Sequence, residues 1–163
     1  MPSLFNADEV FEMAQEMERV GARYYRRAAQ GSLEDSTTKL LLILAKMEDK
    51  HLQVFSDMRE VFRAEEHPSE MFDPDSEAAA YLREFVERRV FNEADPEKTL
   101  TGREDARTVL KTALRMEQDS ILFYTGLREM VPSRLGQDRV QGIIKEEMKH
   151  MAMISRELAA LGE

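Results

Sequence analysis

The chain carries one helical pattern twice. MERVGARYY at 17–25 aligns without a gap to MEQDSILFY at 116–124, and KMEDKH at 46–51 aligns to KEEMKH at 145–150, both at an offset of 99 residues. Glu18, Tyr25, Glu48 and His51 thereby pair with Glu117, Tyr124, Glu147 and His150, and each copy sets a Glu 30 residues ahead of a Glu-x-x-His. Strand-type alternation is absent throughout. A duplication of this kind leaves few folds open, and the simplest is two copies of one helical hairpin facing each other.

Stepping along each copy by three and four residues gives the inward stripes. The first helix reads Phe11, Ala14, Glu18, Gly21, Tyr25, Ala28, and the second Leu41, Leu44, Glu48, His51, Phe55, Met58, Phe62. Their counterparts are Leu110, Ala113, Glu117, Ser120, Tyr124, Leu127, Val131 and Val140, Ile143, Glu147, His150, Ile154, Glu157, Leu161. Every stripe is apolar except near its middle, where a Glu interrupts it.

Boundary signals give four long helices and a shorter one. Asn6 and Glu9 form a capping box, with Phe5 stapled onto Val10, and this helix runs to about Gly31. The second runs from near Ser36 to about Glu66, where Pro68 stops it. PSEMFDPD is a turn, SEAAAYLREFVERRVF the shorter helix and NEADPEKTL a loop. Thr101 and Glu104 cap the third long helix, which Pro132 closes, and the last starts between Ser133 and Asp138 and ends at Gly162. The expected fold is an all-α antiparallel four-helix bundle in one domain, 1–163, with hairpins at 7–66 and 104–162 and a crossover at 67–103.

Composition narrows the function. A net charge of −9 supplies no basic stripe for nucleic acid. The absence of cysteine removes disulfides, thiolate catalysis and iron–sulfur or rubredoxin-type centres. Neither a signal peptide nor a membrane-length apolar run occurs, so the expected location is cytoplasmic. The 11 methionines are read as core filler, and His67 as a solvated helix-end residue.

Four ionised carboxylates in a bundle core cost several kcal/mol each unless compensated. Two divalent cations carry the required charge, and two neutral imidazoles add ligands without adding charge. Metal ligation is therefore expected at Glu18, Glu48, His51, Glu117, Glu147 and His150. Oxygen-rich ligation with a minority of His suits iron or manganese, while zinc or cobalt can enter a purified sample. Tyr25 and Tyr124, two turns from Glu18 and Glu117, leave two readings open: aromatic core packing, or a catalytic supporting role through a hydrogen bond to a ligating Glu. Glu157 is expected near the bundle's end, in contact with water.

On these six positions the sequence resembles the ferritin-like superfamily, and within it the rubrerythrin-like di-iron proteins without a rubredoxin domain; helix-bundle proteins of this type are the standing example of the ligand pattern. The resemblance implies terminal ligation by Glu18 and Glu117, bridging by Glu48 and Glu147, and one ion capped by each of His51 and His150. It departs from rubrerythrins at Ser120, where they carry a further Glu, and in lacking a rubredoxin, so an external electron donor is implied. It departs from ferritin cages in stopping after the fourth helix. Asp49 stands where bacterioferritins place their heme Met, so no heme is expected. The implied activity is an oxidoreductase that oxidises Fe(II) with O2 or H2O2, in iron handling or oxidative-stress defence, with a homodimer expected by analogy. Two alternatives stay open: a di-iron oxygenase acting on an organic substrate, and a non-catalytic metal-binding or sensing bundle.

Overall fold

The stripes become helices close to the expected positions. The computed structural model describes residues 7–65, 77–89 and 95–162. Helix α1 is Ala7–Ala29, α2 Asp35–Arg63, α3 Glu77–Arg89, α4 Ala106–Met130 and α5 Gln137–Ala160. Two 3-10 turns, Pro96–Thr99 and Ser133–Leu135, complete the order, and no strand occurs among the described residues. None of the described helices is long and apolar enough to cross a membrane. The cap and staple at Asn6 and Phe5, the stop at Pro68 and the reading of His67 fall outside the described residues.

Two boundary expectations need correction. Helix α4 is capped by Asp105, whose carboxylate accepts from the Thr108 amide at 2.7 Å, and not by Thr101. The Glu104 carboxylate instead accepts from the amides of Thr101 and Gly102, at 2.6 and 3.0 Å, and so closes a separate turn ahead of the helix. The segment read as a plain loop contains the Pro96–Thr99 turn, because Asp95 caps it and Pro96 supplies the fixed φ of a first helical position.

Helix α1 packs along α2 and α4 along α5, while α1 meets α4 and α2 meets α5. Bonds across these faces give the directions. Tyr25 reaches Glu117 and Tyr124 reaches Glu18 between α1 and α4. Between α2 and α5, Thr37 reaches Glu157 and His51 meets Glu147. On each face a rising residue number meets a falling one, so neighbouring helices of this bundle are antiparallel. Gly136, at φ 109°, makes the left-handed turn that admits α5 directly after Leu135.

The apolar core is divided in two. Phe11, Phe55, Met58, Phe62, Leu127 and Val140 belong to one cluster, and Tyr24, Leu41, Leu44, Leu110, Ala113 and Ile154 to the other. Along every stripe the interrupting Glu falls between residues of these two clusters. At the end of the first cluster, Arg59 and Arg63 clamp Asp8 and tie α2 to the start of α1. At the far end Glu157 is half-buried and accepts from both Ser36 and Thr37 at 2.7 Å.

Helix α3 lies on α4. The contact depends on Gly126, because a Cβ there would stand 2.7 Å from the Tyr81 ring and 2.9 Å from Leu82. Gly126→Ala improves intrinsic helix propensity by about 1 kcal/mol, yet overpacking costs about 1–3 kcal/mol. The expected outcome is a net loss of stability, by urea titration, together with faster amide exchange over 77–85.

Candidate metal centre

The six expected ligand residues meet in the layer between the two apolar clusters. Glu18, Glu48, His51, Glu117, Glu147 and His150 are each no more than 5% exposed. They form two groups, Glu18, Glu48, His51 and Glu147 on one side, and Glu48, Glu117, Glu147 and His150 on the other, each with its ligand atoms within 4.8 Å of one another. Either cluster could hold a metal ion.

Each imidazole turns its Nδ1 toward carboxylates. His51 Nδ1 lies 3.0 Å from Glu147 Oε1, 3.4 Å from Glu48 Oε2 and 3.5 Å from Glu18 Oε2. His150 Nδ1 lies 2.9 Å from Glu147 Oε2, 3.4 Å from Glu117 Oε2 and 3.9 Å from Glu48 Oε1. Glu48 and Glu147 thus each present one oxygen to either side. The rings are stacked, with centroids 5.4 Å apart and planes at 13°.

The tyrosines are buried, and each bonds to a carboxylate from the opposite half of the chain. Tyr25 donates to Glu117 Oε1 and Tyr124 donates to Glu18 Oε1. That leaves Glu18 Oε2 and Glu117 Oε2, one oxygen on each, buried without a hydrogen bond, and the same is true of Glu147 Oε2 and both nitrogens of His150. The short approach of His150 Nδ1 to Glu147 lacks hydrogen-bond geometry. Buried ligand atoms from several side chains that face one space and lack hydrogen-bond partners are what ligands to a shared cation look like, so this residue set fits divalent metal ions.

Sequence reading missed Glu146. Its carboxylate meets the outer nitrogen of His51 at 2.7 Å and so holds the ring with Nδ1 turned toward the Glu147, Glu48 and Glu18 carboxylates. Glu146 is half-exposed and lies off the apolar stripe, so periodicity could not single it out. The repeat offset sharpens the point: the counterpart of Glu146 is Met47, and the outer nitrogen of His150 has no hydrogen-bond partner among the described residues. The two halves therefore differ in how their imidazoles are held.

Burial dominates the protonation of this layer. It pushes Glu117 up to about 8, with the Glu147 charge adding to the effect. It likewise raises Glu18, and it raises Glu48 well above the carboxylate range with help from the Glu18 and Glu117 charges. Burial and the Glu48 charge push Glu147 up, but the neighbouring His150, His51 and Glu117 side chains outweigh them and lower it. Burial disfavours charge on the imidazoles, but the surrounding carboxylates prevail, raising His51 strongly and His150 to about 10. Burial also raises both tyrosines, next to the Glu117 charge for Tyr25 and the Glu18 charge for Tyr124.

Comparison with protein-family models, with curated proteins and with solved structures gave no match.

A pH dependence follows for the metal-free protein. Between the ordinary carboxylate value of 4.5 and about 8, folding retains a proton on Glu117 that the unfolded chain has released. Between 6.5 and about 10 the same holds for His150. Where the folded state binds more protons, stability falls as pH rises. The lowered Glu147 acts in the opposite sense, but only below its ordinary 4.5. Thermal melts of chelator-treated protein should therefore give a Tm that falls steadily from pH 5.5 to pH 9; a flat or rising profile would contradict the protonation scheme.

Proposed function

We propose that this chain is a non-heme dimetal oxidoreductase of ferritin-like, rubrerythrin-like architecture that binds two iron ions, or manganese, and uses them to oxidise Fe(II) or reduce peroxide. The observation that carries the reading is the placement of Glu48 and Glu147, each with one oxygen toward either imidazole. Two adjacent cations with shared carboxylates account for it, whereas a purely structural salt-bridge layer leaves five buried polar atoms without hydrogen bonds.

In this reading Glu18 and His51 serve one ion, Glu117 and His150 the other, and Glu48 and Glu147 join them. Such ions, when bound, would supply the redox chemistry toward O2 or H2O2. The protein's part is arrangement. Tyr124 and Tyr25 hold the outer oxygens of Glu18 and Glu117 so that the inner oxygens keep their direction. Glu146 orients His51, and the apolar clusters pack above and below the carboxylate layer. With no cysteine in the chain, reducing equivalents for repeated peroxide turnover come from a separate donor.

Anaerobic titration of the metal-free protein with Fe(II), followed by H2O2 or O2, tests the proposal. Two equivalents should bind per chain, with Glu48→Ala and Glu147→Ala each losing both. Oxidation should produce near-ultraviolet absorbance of oxo-bridged ferric iron, and the faster oxidant distinguishes peroxidase from ferroxidase. Absence of stoichiometric binding would sink the reading, and binding that raises Tm without oxidation would point to a sensor.

Two variants carry separate expectations. Glu146→Gln should weaken one of the two binding steps by about 10–100-fold and leave the other near wild type, measured by stepwise calorimetric titration with Mn(II). Glu117→Gln removes a buried carboxyl that burial resists ionising, so the metal-free variant should melt above the wild type while gaining less from added metal.

A further inference from the structure

A cavity of about 350 Å³ opens between α1 and α4, bounded on the outside by Phe85 of α3 and by Pro96. Met13, Met17 and Val20 line it from α1, Met116 and Phe123 from α4, and its lining extends inward to Tyr25, Glu48 and Glu117. The way inward runs past Gly21 and Ser120, the equivalent positions of the two repeats on facing helices, each three residues beyond Glu18 or Glu117. A Cβ on Gly21 would already stand 3.5 Å from the Glu48 carboxylate, so a larger side chain at this position would fill the passage.

The size and chemistry of this space exceed what a diatomic oxidant or a peroxide needs. A water molecule's share of liquid volume is about 30 Å³, whereas sites for small organic molecules span about 300–1,000 Å³ and are mainly apolar with a few polar groups. Phe85 and Phe123 lie 5.8 Å apart at 51°, and the three thioethers can adjust to an aromatic guest. Charge restricts the guest further. Glu16, Asp95 and Asp119 border the cavity, and Arg23 is already shared among Glu16, Asp95 and Glu97 at 3.4, 3.7 and 3.2 Å. An anion entering here would meet a carboxylate-bearing border.

We infer that this cavity binds a small neutral aromatic molecule of one or two rings, seated against Glu48 and Glu117. The binding goes beyond the function proposed above and stands without it, since the walls and passage are built by side chains alone. Bound there, the molecule would lie against the carboxylate layer.

2-Naphthol, a phenol uncharged at neutral pH, serves as the probe. Its fluorescence titration with the full-length chain should saturate at one molecule per chain. Ser120→Phe, which fills the passage, and Val20→Trp, which fills the outer space, should each weaken binding about tenfold or more, while Leu42→Ser on the exposed face of α2 leaves it unchanged. Far-ultraviolet circular dichroism checks that each variant folds, and Val20→Trp decides the matter if Ser120→Phe does not. No saturable binding, or binding that neither filling variant weakens, overturns the inference. Mn(II) stoichiometry measured on the same preparations reports separately on the metal reading, so failure of one is distinguishable from failure of the other.

Discussion

Compensation of four carboxylates buried inside a helical core is the constraint around which this protein is arranged. Glu18, Glu48, Glu117 and Glu147 sit together with almost no exposure, between two apolar clusters. Without cations the layer answers by holding protons: burial raises three of the four carboxyls, and the carboxylate field raises both imidazoles. Protons and metal ions are thus alternative solutions to one electrostatic problem. Replacing a buried ionic layer by apolar side chains of the same volume is often neutral or stabilising, so this layer does not owe its place to stability alone.

The duplication explains much of the geometry. Because neighbouring helices are antiparallel, equivalent residues of the two halves face each other's partners and not their own. Tyr25 therefore serves Glu117, and Tyr124 serves Glu18. Any tilt of one hairpin would disturb the tyrosine clamps of both halves together, which couples the bundle's packing to the positions of the carboxylates.

The equivalence is broken where function would use a difference. Glu146 of α5 holds the outer nitrogen of His51, but Met47 of α2 stands at the corresponding repeat position, so the imidazoles are not held alike. The faces of the bundle also differ. Between α2 and α5 the stacked histidines occupy the layer, whereas between α1 and α4 the small residues Gly21 and Ser120 leave a passage to the carboxylates. Helix α3 is fixed over that side by its contact at Gly126, and its Phe85 becomes part of the wall.

The helices and the six polar positions within their stripes were legible in the sequence, because the period of a helix places every third or fourth residue on one face. The repeat then supplied the pairing of the halves. Periodicity does not say which helix a face will meet, so the crossed tyrosines and the two-sided reach of Glu48 and Glu147 appear only once the hairpins are packed. Glu146 lies off the stripe and acquires its role from a helix 95 positions away in sequence. The cap at Asp105 was masked by the neighbouring Thr101 and Glu104, whose pattern is equally good locally but closes a different turn. The cavity has no sequence signature, since empty space is a property of how large and small side chains from several elements meet. Sequence by itself determined which residues had to be inward and that their charge had to be balanced; tertiary structure decided which atoms converge, because convergence depends on distances between helices that local periodicity does not encode.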